Sequence, residues 1–215
     1  MIQKFLAVLL AMAVLGAFAV GELRNRWATP LMIPGQGFIL TIAQGNSLKT
    51  VVDSLHTAGV LTYPWLVILY GRWTGLDQQI KPGEYLLPIN STAESMLMQL
   101  QSGDVITYQV TLPEGITLAM ALDILKQEEK LEMTLAGPTD SRLLEIIKPY
   151  SSPEGLFFPD TYHYVSGDSD WSILQRAHLA MNVVLKEEWD QRASSLPYDS
   201  PYEALIMASI IERET

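Results

Sequence analysis

A chain of 215 residues, 48% of them apolar, is long enough to bury a core of its own in one or two domains and is not a disordered tail. Its formal charge of −10, with no run of Lys or Arg, opposes attraction to phosphate backbones, so nucleic acid is not an expected partner. Cysteine is absent, which excludes disulfides, thiol chemistry and Cys-held metals, and His56, His163 and His178 are too scattered in the sequence to read as a metal site.

The N-terminus carries the first predicted element. Phe5 to Gly21 holds no charge, and about 17 residues at ~1.5 Å each cover roughly 25 Å, near the lower limit for crossing a hydrocarbon core. Residues 1–27 are therefore expected to form a cytoplasmic start and a transmembrane anchor. Lys4 before the segment favours that orientation, while Arg24 and Arg26 behind it act against it. The rival reading is a cleaved signal peptide, for which Ala17-Phe18-Ala19 offers a small-x-small site. Either reading sends the remainder out of the cytoplasm. The expected location is the inner (cytoplasmic) membrane, single-pass, with the bulk of the chain on the periplasmic or outer face.

Residues 28–37, with Pro30, Pro34, Gly35 and Gly37, read as a linker. Phe38 to Ile42 then alternates as a strand. A turn over Gln44-Gly45-Asn46 follows, and Leu48, Val51, Val52 and Leu55 give a helical stripe closed by Gly59. Pro64 opens a second helix carrying Trp65, Leu66, Ile68, Leu69 and Trp73, with Gly75 at its end. Lys81-Pro82-Gly83 turns into a strand through Leu87. Ser91 and Glu94 stand at capping-box spacing before Leu97 and Leu100, and Gly103 closes that helix.

Ile106 to Leu112 alternates again and starts a repeat of the first unit after about 70 positions. Thr111, Leu112, Gly115, Thr117, Leu118, Asp123 and Leu125 lie over Thr41, Ile42, Gly45, Ser47, Leu48, Asp53 and Leu55. The glycine permits a tight turn, the hydroxyl two residues later caps a helix, and the leucine begins its buried stripe. Further on, Trp171, Ile173, Leu174, Ala177, Ala180, Met181, Val184 and Leu185 mark a long scaffold helix ending near Ala193. Ser200, Pro201 and Glu203 start a last helix that runs into Ile210-Ile211-Glu212-Arg213-Glu214-Thr215.

Taken in order, Lys81-Pro82-Gly83-Glu84-Tyr85, Pro113-Glu114-Gly115-Ile116-Thr117, Glu154-Gly155-Leu156-Phe157-Phe158-Pro159-Asp160-Thr161-Tyr162 and Ala208-Ser209-Ile210-Ile211-Glu212-Arg213-Glu214-Thr215 make the chain resemble the endolytic murein transglycosylases. The resemblance implies an α+β chain: an N-terminal transmembrane helix, a small LysM-like α/β module at 38–112, and at 113–215 the first part of a mixed α/β catalytic domain, truncated just after the catalytic Glu motif. It implies a lytic transglycosylase that cuts the MurNAc-β-1,4-GlcNAc bond within nascent glycan strands and leaves 1,6-anhydro-MurNAc ends. Peptidoglycan strands and the membrane are the implied partners, with cell-wall synthases as further candidates, and no cofactor or metal is implied. The rival function is a non-catalytic, membrane-tethered peptidoglycan-binding or scaffold protein.

The resemblance also implies that Glu214 is the catalytic acid, and the residues agree with that choice. On a helix Glu212 and Glu214 point about 200° apart. Glu214 looks back on Ile211, Ile210 and Met207, whereas Glu212 looks back on Ser209, Ala208 and Leu205. A carboxyl among aliphatic groups holds its proton more tightly, as a general acid requires. In the Glu154–Tyr164 segment, Phe157, Phe158, Tyr162 and Asp160 read either as a sugar-stacking wall or as a turn clamped by aromatic packing, with packing preferred.

Overall fold

The computed structural model describes the backbone of residues 2–214 and the side chains of residues 10–212. Helix α1 (Ile2–Trp27) takes up the apolar N-terminal stretch. Among the described residues, no helix is long and apolar enough to cross a membrane. This corrects both the expected transmembrane helix and the single-pass inner-membrane location. An uncharged stretch of about 17 residues falls short of the roughly 20 that a spanning helix needs. The same helix also continues through Glu22, Arg24 and Arg26, with Arg26 paired to Glu22 at 2.9 Å on its surface.

The chain divides into two compact units, Met1–Ile106 and Thr107–Thr215. The first contains β1 (Phe38–Ile42), α2 (Leu48–Thr57), α3 (Pro64–Thr74), a 3-10 turn at Leu76–Gln78, β2 (Gly83–Leu87) and α4 (Ala93–Ser102). β1 and β2 pair antiparallel, Phe38 opposite Leu87 and Ile42 opposite Gly83. Alternation sends Leu40, Ile42, Tyr85 and Leu87 to one face, where they meet Leu48, Val52 and Leu55 of α2 and Met96, Leu97 and Leu100 of α4. Gly83 is required on two counts: its φ is 136°, and a Cβ there would stand 2.7 Å from Val105 Cγ1. The α4 start lies one residue later than the spacing predicts. Thr92 is the N-cap and Ser95 its capping-box partner, because the Ser91 hydroxyl instead donates to the Pro88 carbonyl.

The second unit contains β3 (Thr107–Thr111), α5 (Leu118–Lys126), α6 (Ser141–Ile146), β4 (Thr161–Val165), α7 (Asp170–Asp190) and α8 (Pro201–Glu214). β3 pairs antiparallel with β4, Thr107 opposite Val165 and Thr111 opposite Thr161. The division falls after Ile106. The repeat seen in the sequence is also a repeat of conformation. Gly45 and Gly115 both have positive φ, at 84° and 71°. Ser47 and Thr117 both accept the third helical amide, from Thr50 and Met120. Leu48 and Leu118, then Leu55 and Leu125, are buried alike. In each unit two helices separate the paired strands, and a further capped helix follows the second strand.

Candidate active site

The carboxylate motif sits at the distal end of α8. That helix starts as its sequence predicts: the Ser200 hydroxyl accepts the Glu203 amide at 3.3 Å, and the Glu203 carboxylate accepts the Asp199 amide at 2.8 Å. Tyr202 stacks on Tyr150 with ring centroids 4.4 Å apart, and Leu205 lies against Gly155. From Ile206 to Glu212 every side chain is exposed. Met207, Ile210 and Ile211, the aliphatic neighbours expected beside Glu214, are 38%, 52% and 61% exposed, so they form an open face and not a buried pocket. The side chain of Glu214 itself lies outside the described residues.

The base of α8 packs on α7 and runs beside Gly155 of the Glu154–Tyr162 turn, whose polar groups are tied down almost one by one. Glu154 Oε2 accepts the Leu118 amide at 3.0 Å, adding a carboxylate to the N-terminus of α5, where the helix dipole favours negative charge. The Leu156 carbonyl faces His178 Nδ1 at 2.9 Å, and the Phe158 amide donates to the Ala177 carbonyl at 3.0 Å. Tyr162 donates its hydroxyl to the Phe158 carbonyl at 2.6 Å, and the Asp160 carboxylate accepts the Thr161 amide at 2.7 Å. The Leu112 amide donates to the Asp160 carbonyl, and the Thr111 and Thr161 hydroxyls meet at 2.8 Å. Residues 111, 112 and 118, which flank the 113–117 motif, are thereby bonded to the distant 154–162 segment at the end of the β3–β4 pair.

These bonds decide the role of the aromatic residues. Tyr162 and Tyr164 are 8% and 2% exposed and face the core from β4, so neither offers a ring to a sugar. Burial, together with the nearby Asp160 charge, pushes Tyr162 up to about 12, and burial with a hydrogen bond to Glu128 raises Tyr164. Phe157 and Phe158 are half-buried in the turn. The sequence alone assigned no role to His178, Asn182 or Glu154. His178 had a visible signal, a histidine on the apolar stripe formed by Leu174, Ala177 and Met181, whereas Glu154 acts on an amide 36 residues away, which no local pattern reveals.

His56 bonds the Leu61 carbonyl in the first unit and His163 is exposed on β4; among the described residues no group of His, Asp and Glu could hold a metal ion. A cleft in the first unit is lined by Trp27, Tyr63, Leu66 and their neighbours, with no carboxylate among the lining residues.

A family model described as the YceG-like family matches residues 40–215. The chain belongs to the YceG-like family. This is the family of endolytic murein transglycosylases, and it carries a peptidoglycan lytic transglycosylase role at the level of the family. Among solved structures, the YceG-like chain is similar to a YceG-like protein from Listeria monocytogenes, with 20% identity and a TM-score of 0.35 over 71% of this chain. It spans 56% of the length of that protein. No curated protein matches the chain.

Proposed function

We propose that this YceG-like chain supplies the general acid of an endolytic peptidoglycan lytic transglycosylase, and that Glu214 is that acid. The observation that carries the reading is that residues 208–214 of the motif lie on a capped helix whose base stacks Tyr202 on Tyr150 and brings Leu205 beside Gly155 of the Glu154–Tyr162 turn, in a chain whose family model covers both motifs. Glu214 protonates the oxygen of the MurNAc-β-1,4-GlcNAc bond as its bond to the muramic anomeric carbon breaks. The 6-hydroxyl of the same muramic residue then attacks that carbon and returns its proton to the Glu214 carboxylate. No water enters, and a 1,6-anhydro end results. An internal nucleophile removes the need for the second carboxylate that most glycosidases require.

A glycan strand laid on the open face of Met207, Ile210 and Ile211 would bury those side chains and thin the water around the carboxyl, which favours its protonated form. The first unit, with two helices between antiparallel β1 and β2, has a layout consistent with a LysM-like glycan-binding module.

The test compares Glu214→Gln with Glu212→Gln on isolated glycan strands, with anhydro-sugar products read by mass spectrometry. Glu214→Gln is expected to lose about 10²–10⁴-fold in rate, the usual size of a general acid–base contribution. Glu212→Gln, about 200° around the helix, is expected to lose less than about tenfold. Loss confined to the Glu212 variant would refute the assignment.

A further inference from the structure

We propose that His178 is a positioning residue. It pins the Glu154–Phe158 turn to α7, and the pinned turn is the seat from which α8 presents its carboxylate motif. The proposal rests on the reading of Glu214 given above for its catalytic consequence, and on geometry alone for the seating.

His178 is buried, and both ring nitrogens are engaged. The Leu156 carbonyl can only accept, so Nδ1 carries the hydrogen, and Nε2 accepts from the Asn182 amide at 2.9 Å, one helical turn along α7. The Phe157 ring stands 5.9 Å from the imidazole. Two residues on from Leu156, the Phe158 amide donates to the carbonyl of Ala177, the neighbour of His178. Two links thus fix the turn to one place on α7.

The other side of the turn meets α8. A Cβ on Gly155, whose φ is 78°, would stand at an ordinary van der Waals distance of 3.8 Å from Leu205 Cδ2, so the turn runs beside the base of α8. Tyr150 stacks on Tyr202 just before the turn. Past Leu205 the described side chains of α8 are all exposed, so the direction of the helix is set at its base. Glu214 lies nine residues beyond Leu205, about 14 Å at the helical rise, so a tilt of about 5° at the seat moves the motif by about 1 Å. A displacement of that size can cost on the order of 100-fold in a reaction that depends on position.

The experiment uses the full chain and two readouts. His178→Asn keeps a donor nitrogen on Cγ, where Nδ1 stands, and His178→Leu removes it. In His178→Leu, amide exchange over Ile206–Glu212 is expected to quicken by about tenfold while β3, β4 and α5 keep their protection. Anhydro-product formation should fall by about 10- to 100-fold in kcat with KM little changed, and His178→Asn should stay within about threefold of the wild type in both readouts. Should His178→Leu fail to fold, His178→Gln, which carries its donor one carbon further out, should show the same quickening confined to α8. Exchange that quickens evenly through the second unit, or an α8 unchanged in His178→Leu or His178→Gln, would overturn the proposal. A wild-type chain that makes no anhydro-product would defeat the reading of Glu214, and the exchange data would still decide the seat.

Discussion

Tyr162 shows how a single side chain can tie the turn to the strand. Its hydroxyl bonds the Phe158 carbonyl, and burial together with the Asp160 charge raises its ionisation to about 12, against about 10 in an unfolded chain. A raised value gives the sign. Below pH 10 the group is protonated in both states and its full contribution is present; between about 10 and 12 the unfolded chain loses the proton first, and stability falls as pH rises through that window. Urea midpoints of the second unit should therefore drop between pH 9.5 and 11.5. Tyr162→Phe should lower the midpoint at pH 8 by the equivalent of about 0.5–1.5 kcal/mol and flatten the alkaline decline, leaving the share due to Tyr164. A decline of unchanged steepness in that variant would show that Tyr162 is not its source.

Among the elements, the repeated strand-turn-helix is the clearest. Ser47 and Thr117 occupy equivalent N-caps, each bonding the third helical amide through its hydroxyl at exposed positions. Ser47→Ala and Thr117→Ala should each cost about 1 kcal/mol, and the double variant should cost the sum, since the two helices belong to separate cores. Denaturant titration of the three variants measures this, and a neutral result at either site would show that the cap does not stabilise its helix. Glu154 adds a carboxylate at α5 that has no counterpart in the residue-by-residue repeat, and it comes from the turn that seats α8. The second copy of the unit has thereby been tied to the candidate site.

At the scale of the whole chain, the two units have cores that share no residue. In the first, a Cβ on Gly71 of α3 would stand 2.1 Å from Cδ2 of the buried Leu48, so the two helices approach as closely as they do only because that side chain is missing. Gly71→Ala should destabilise the first unit by about 1–3 kcal/mol through overpacking. Leu125→Ala, at a fully buried position of α5, should destabilise the second by about 2–5 kcal/mol through a cavity. Calorimetry of the single and double variants should give additive losses within about 0.5 kcal/mol. A large coupling energy would show that the two cores act as one.

Local pattern was enough for the features that local physics controls. Alternation marked β1 and β3, the Lys81-Pro82-Gly83 turn marked β2, the glycines marked the turns and the ends of α3 and α4, and Ser200-Pro201 with Glu203 marked the start of α8. The repeat was legible because both copies use the same cap and the same buried leucines. What the sequence could not decide depended on distant partners. The pairing of β3 with β4 joins residues 50 or more apart, and it turns Tyr162 from a candidate sugar-stacking ring into a core residue, with Tyr164 beside it in the core. The grip of His178 on Leu156 and of Glu154 on Leu118 spans 22 and 36 residues, beyond the reach of any helical or strand period. The aliphatic face of α8 was the opposite case: its residues are apolar, but whether apolar residues are buried depends on what the fold lays over them, and here Met207, Ile210 and Ile211 remain 38%, 52% and 61% exposed.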